Sequence, residues 1–234
     1  MFVPKNNLVA IAYKTGYCGS LIYALAALSP EVAQFVPFDE PTFDDGTAHS
    51  VQEEWFCNLH DYQDSLTVCQ EAWDSYVPES THKVLQEDKL ILFRCHPNTA
   101  VKLNFIENLR VLYITHKNKY VPERWAYEKV YKPQGDNLYQ RDLDKLFGTQ
   151  KHMSISNQIK RTLLIKNVNH DVVSWTQVKN QMKIQPHLVQ IDQLLDKNYN
   201  AYKDLYSYLA ITPIPEDKFC RLIDQYNSKQ WKRF

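Results

Sequence analysis

The sequence predicts an α/β fold, an open and mainly parallel sheet flanked by helices on both faces. Three observations carry that expectation. Four short apolar runs, LVAIAY (8–13), LILFRC (90–95), VLYIT (111–115) and HLVQI (187–191), are too short for helices and apolar enough for strands buried on both faces. Segments of helical periodicity stand between and after them. The two kinds alternate along the whole length, and short crossovers turn such an order into a parallel sheet. Nothing resembles an inter-domain linker, so residues 1–234 read as a single domain.

Taken in order, the first strand runs into Lys14-Thr15-Gly16-Tyr17-Cys18-Gly19-Ser20, and LIYALAAL (21–28) then forms a helix that ends near Ser29-Pro30. Residues 37–50 (PFDEPTFDDGTAHS) read as a surface loop. Residues 51–76 read as a helix, with Trp55, Leu59, Tyr62 and Leu66 at three- and four-residue spacing. The second strand closes at His96-Pro97, and a short helix is expected over 105–109 before the third strand. Residues 121–131 suggest a helix with Pro122 in its first turn, and 132–152 a loop with a short amphipathic piece. Helices are expected over 154–165 and 170–182. The fourth strand at 187–191 is followed by helices over 200–209 and from about 216 to 231, separated by Pro213 and Pro215.

Composition narrows the function classes. The 27 Lys and Arg residues balance 27 Asp and Glu, which argues against general nucleic-acid binding because that needs a phosphate-neutralising surplus. Fifteen Tyr, ten Phe and five Trp argue against a disordered chain. No apolar run approaches the roughly 20 residues of a membrane span, and the N-terminus lacks a signal-peptide pattern, so the expectation is a cytoplasmic protein without a membrane partner. The five cysteines (Cys18, Cys57, Cys69, Cys95, Cys220) include no C-x-x-C pair, so neither a zinc site nor a disulfide framework is indicated.

The first turn carries the chemistry. A buried strand, a glycine-containing turn and a helix start gather backbone N–H groups around one point, where the helix dipole favours an anion. Gly16 and Gly19 would allow close backbone approach, Ser20 adds a hydroxyl, and Lys14 adds a positive charge. The nucleotide-triphosphatase pattern G-x-x-x-x-G-K-[ST] is missing, and LILFRC and VLYIT end without an Asp to hold magnesium. A phosphate cradle without metal chemistry is the expectation, against a tight βα turn that binds nothing.

This turn resembles the 5′-phosphosulfate loop of the sulfotransferase family, which reads Lys or Arg, Ser or Thr, Gly, a short variable stretch, then a helix. LILFRCHP resembles the family strand that ends in a Thr-His or Ser-His pair. Residues 108–129 (NLRVLYITHKNKYVPERWAYEK) resemble its 3′-phosphate segment, and 187–215 its late strand–helix pattern, with Asp192, Leu194, Leu205 and Leu209 at matching places. The resemblance implies a P-loop-like domain that moves a sulfuryl group from 3′-phosphoadenosine 5′-phosphosulfate (PAPS) to a hydroxyl of a small molecule or carbohydrate, with no metal. It implies donor contacts from Lys14, Thr15, Gly16, Tyr17, Cys18, Gly19 and Ser20. Departures exist: His116-Lys117 stands where the family has Arg, and Arg124 falls near its helical Ser, so Lys117 and Arg124 become the candidate 3′-phosphate contacts.

On this reading Lys14 neutralises the leaving phosphate, and His96 is the candidate base for the acceptor hydroxyl. Glu53 or Glu54 could stand in for His96, and Trp55, Tyr62 and Trp73 could line an acceptor pocket, although a solvated face and a core stripe explain the same residues. Two alternatives remain: a P-loop-like nucleotide or phosphate binder without sulfotransferase activity, and a small kinase-like phosphotransferase.

Overall fold

The computed structural model describes residues 8–14, 16–33, 40–44, 47–49, 89–104, 106–118, 121–122 and 172–230. The helices expected over 51–76 and 154–165, the loop at 132–152, and the candidates Thr15, Glu53, Glu54, Trp55, Tyr62, Trp73 and Arg124 lie outside these residues. By their contacts the residues group into two units. The first comprises Met1–Tyr13, Cys18–Thr115 and Val173–Phe234, and the second Lys14–Tyr17 with His116–Val172.

The first unit is built on a four-stranded parallel sheet. Its strands are β1 (Leu8–Ala12), β4 (Ile91–Cys95), β5 (Arg110–Thr115) and β6 (His187–Gln190), in the order β4-β1-β5-β6. β1 lies between two partners and is fully buried along its whole length, which is why LVAIA carries no polar alternation. Successive side chains leave a strand on opposite faces. Leu8, Ala10 and Ala12 of β1 join Ile91, Phe93, Val111 and Tyr113 on one face, where Ala100 and Leu103 cover them. The opposite face meets helix α1 (Gly19–Ala26), all eight of whose residues are buried. A helix apolar all round fits that site because it is covered on more than one side: it lies against β1 and β4 and against strand β3 (Thr47–His49).

β3 pairs antiparallel with β2 (Thr42–Asp44), so part of the expected 37–50 loop is a two-stranded ribbon. The missed signal is Asp45-Gly46 between the two triplets, a dipeptide favoured in two-residue hairpins. The second strand is followed at once by helix α2 (Pro97–Lys102), and the helix expected over 105–109 is replaced by turns at 106–108. Proline at the first helical position, after an extended His96, explains the early start. Helix α3 (Trp175–Gln181) begins later than expected. Ser174 and Gln177 form a capping box there, with the Gln177 amide donating to Ser174 Oγ at 3.4 Å and the Ser174 amide to Gln177 Oε1 at 2.7 Å.

β6 runs without a loop into helix α4 (Ile191–Leu195), which takes in the last residue of the expected strand. Helix α5 (Tyr199–Leu209) is capped by Asn198, whose side chain accepts the amides of Asn200 and Ala201 at 3.1 and 3.2 Å. Helix α6 (Glu216–Gln230) opens on Glu216 and Asp217 and carries Lys229 in its last turn, the charge order that suits its dipole. Tyr202, Tyr206, Phe219 and Tyr226 of these helices are fully buried. The Tyr206 hydroxyl donates to the Leu25 carbonyl and so ties α5 to α1. Among the described residues no helix is long and apolar enough to cross a membrane.

Candidate functional site

The carboxyl ends of β1 and β4 are level, and β5 runs on past them to Thr115. Ala12 of β1 pairs with Cys95 of β4 on one side and Tyr113 of β5 on the other, all parallel. Strands later in the chain thus leave β1 in opposite directions, and open α/β sheets bind ligands outside the carboxyl ends at such a reversal. In the first unit the residues at this edge are Tyr13, Cys18, Gly19, Ser20 and His96.

Cys18 caps α1 from a left-handed conformation (φ 57°, ψ 31°) and gives it no side-chain hydrogen bond. No acidic residue occupies the first turn. The Cys18 carbonyl takes the amides of Leu21 and Ile22 at 3.0 and 3.4 Å, so the first-turn amides a ligand could take are those of Gly19 and Ser20. Ser20 is buried, at 8% exposure.

The glycine at position 19 has a packing cause. A Cβ built on it would lie 2.1 Å from Cδ1 of Tyr13. The close approach expected from a ligand is thus made by a tyrosine ring. The sequence places Tyr13 as the last residue of a buried strand. In the structure it stands past the end of β1, half-buried, with its amide donating to the Cys95 carbonyl at 3.1 Å. An aromatic residue immediately before a glycine turn was the only hint the sequence offered.

His96 is the next residue after β4, beside that bond. It is half-buried and extended (φ −74°, ψ 147°), and its carbonyl accepts the amides of Thr99 and Ala100 at 2.9 and 3.1 Å as α2 begins. Its side chain does not cap the helix. Two residues not singled out beforehand organise the neighbourhood. Asn98 Oδ1 accepts the Val173 amide at 2.8 Å, and the Tyr113 hydroxyl donates to the Val173 carbonyl at 3.2 Å. They tie the segment before α3 to α2 and β5. Burial pushes Tyr113 up to about 12, so its hydroxyl remains a donor at neutral pH. Cys95 is fully buried, which pushes its thiol far above the ordinary range and leaves it inert.

The other candidates belong to the second unit. The Tyr17 amide donates to the Lys14 carbonyl at 3.0 Å, with Gly16 at φ 88°. The bond closes a four-residue turn with glycine at its third position, where the positive φ suits a residue without a side chain. Tyr17 is buried. One of the amides expected to face a phosphate is therefore consumed within the turn. Lys117 is exposed, and His116 Nδ1 accepts the Asn118 amide at 2.9 Å. Among the described residues no group of three or more His, Cys, Asp or Glu side chains gathers as a metal site.

Cys18, Gly19, Ser20 and His96 thus share one unit and one sheet edge, Lys14, Gly16, Tyr17 and Lys117 belong to the other unit, and Thr15 and Arg124 are not described. Compared with known proteins, the chain matches no family model and no curated protein sequence.

Proposed function

We propose that the chain binds a 3′-phosphoadenosine nucleotide at the carboxyl edge of its parallel sheet and acts as a PAPS-dependent sulfotransferase on a hydroxyl acceptor. One observation carries the reading. α1 starts directly after the turn that leaves the central strand, from a left-handed Cys18, with no side-chain cap and no acidic residue in its first turn. Such a helix start suits an anion. The sulfotransferase-like order of motifs adds the choice of donor.

The donor's chemistry would be sulfuryl transfer in line from its phosphate to the acceptor oxygen. The protein's task is to hold and to neutralise. The Gly19 and Ser20 amides and the Ser20 hydroxyl would donate to phosphate oxygens. The family resemblance, and not the placement of the second unit, is what assigns Lys14 the charge that stabilises the leaving phosphate and Lys117 a contact to the 3′-phosphate. His96 is assigned the acceptor's proton, which an imidazole takes near neutral pH.

The Tyr13 ring over Gly19 favours a second reading, a phosphate-binding protein without transferase activity. Thermal unfolding with 3′-phosphoadenosine 5′-phosphate (PAP), 5′-AMP and ATP–magnesium separates the two. A ligand at a hundred times its Kd stabilises by about 2.7 kcal/mol. Stabilisation by PAP but not 5′-AMP, with turnover lost in Lys14→Ala, supports the transferase. A shift with PAP gained only after Tyr13→Ala supports the second reading. Silence from all three ligands in both proteins refutes a nucleotide site here, and a shift with ATP–magnesium alone points to a kinase.

A further inference from the structure

We propose that the outer edge of β6, with the cleft beside it, binds an extended peptide segment through a lysine or arginine side chain of that segment. β6 is the last strand of the sheet among the described residues, and β5 pairs with its other side from His187 to Gln190. A cleft of about 220 Å³ runs along it. All four consecutive strand residues line this cleft. Because neighbouring side chains point to opposite faces, a space lined by all four follows the strand's edge and not one of its faces. An open strand edge offers main-chain donors and acceptors that a second extended chain can take.

The cleft is smaller than the roughly 300–1,000 Å³ usual for small-molecule sites, and it suits a single long side chain. Its walls are of two kinds. Leu194, Ala201 and Leu205 supply an apolar lining suited to an aliphatic stem. Asp204 stands at the cleft with its carboxylate exposed. Gln193, which also lines the cleft, donates to Gln190 Oε1 at 2.6 Å, which leaves Gln193 Oε1 as an acceptor.

Charge decides the occupant. His187 stacks on Tyr208, with ring centroids 4.8 Å apart, and burial holds it below the ordinary imidazole value, although Asp204 works the other way. It therefore leaves the Asp204 charge in place at neutral pH. The adjacent Lys203 directs its ammonium over the Tyr199 ring at 5.3 Å. A negative, half-apolar slot along a strand edge matches a cation on a flexible stem carried by an extended backbone.

The test is fluorescence polarisation with the full chain and a labelled, end-capped hexapeptide of alternating valine and threonine with one central arginine. Saturable binding is expected, with affinity falling about tenfold or more in Asp204→Asn and about as much when the peptide's arginine becomes glutamate. Proline at alternate peptide positions should weaken binding comparably, because it removes main-chain donors. Amide exchange at 188–190 should slow in the complex. Asp204 is exposed, so its variant folds, and thermal unfolding confirms that. The proposal is overturned by no binding up to about 1 mM, by equal binding of the arginine and glutamate peptides, by insensitivity to Asp204→Asn or to proline, or by self-association of the chain through this edge with no peptide uptake.

Discussion

Replacing Gly19 by alanine measures how tightly the turn after β1 is closed. The backbone at Gly19 is not in the positive-φ region, so alanine meets no backbone strain there, and the effect isolates one contact. The new Cβ would lie 2.1, 2.2 and 2.4 Å from Cδ1, Cε1 and Cγ of Tyr13. Carbon atoms pack best at about 3.5–4.0 Å, so the ring must retreat by roughly 1.4 Å or more. Overpacking of this kind costs about 1–3 kcal/mol. Against it stands the helical preference for alanine over glycine, at most about 1 kcal/mol and less in a first turn. The net expectation is a loss of about 1–2 kcal/mol, which for a chain of this size lowers Tm by about 2–8 °C. Urea titration of the parent, Gly19→Ala, Tyr13→Ala and the double variant closes the cycle. With the ring gone, Gly19→Ala should become neutral or stabilising, a coupling of about 2 kcal/mol between the two positions. A Gly19→Ala protein as stable as the parent, or one equally destabilised without the ring, would refute the contact and with it the packing account of Gly19.

Three further outcomes follow from the structure. Gly16→Ala places a side chain at φ 88° and should cost about 1–2 kcal/mol by urea titration; a neutral result would mean that this turn is not held in solution. Glu31 accepts from the Ser29 and Thr212 hydroxyls and from the Thr212 amide at 3.2 Å, and these bonds lower its carboxyl from 4.5 to about 2. A carboxyl depressed on folding adds stability above its unfolded value and loses it as pH falls through the folded value. After discounting for solvent screening, Glu31→Gln should therefore cost about 1 kcal/mol at pH 7 and progressively less between pH 4.5 and 2; a difference constant with pH counts against this account. Arg110 is half-buried and donates through Nη1 to the carbonyls of Tyr208 and Leu209 at 3.2 and 2.9 Å, so Arg110→Met should lower stability by about 2–3 kcal/mol, and a loss under about 0.5 would remove this clamp on the end of α5.

The strands were legible because each reports its own burial. LVAIA, ILFRC and VLYIT contain almost no polar residue, and only a strand enclosed on both faces tolerates that composition. The α/β class and the helix after the first turn followed from those runs. The ribbon at Thr42–Asp44 and Thr47–His49 was hidden among prolines and acidic residues. The early start of α2 was hidden because Pro97 can end one element or open the next. Such local choices are settled by what an element packs against.

Of the site, the alternation of strand, glycine turn and helix lay in the chain itself, since φ freedom and helix-forming residues are local properties. Tertiary structure alone decided that β4 and β5 flank β1 with Cys95 and Tyr113 level with Ala12, and that His96 leaves the sheet at the same edge as α1 enters. It also decided that the space in front of Gly19 belongs to Tyr13. A glycine looks the same in sequence whether a phosphate or an aromatic ring needs its missing side chain. The distinction is steric, and steric neighbours exist only once the chain has folded.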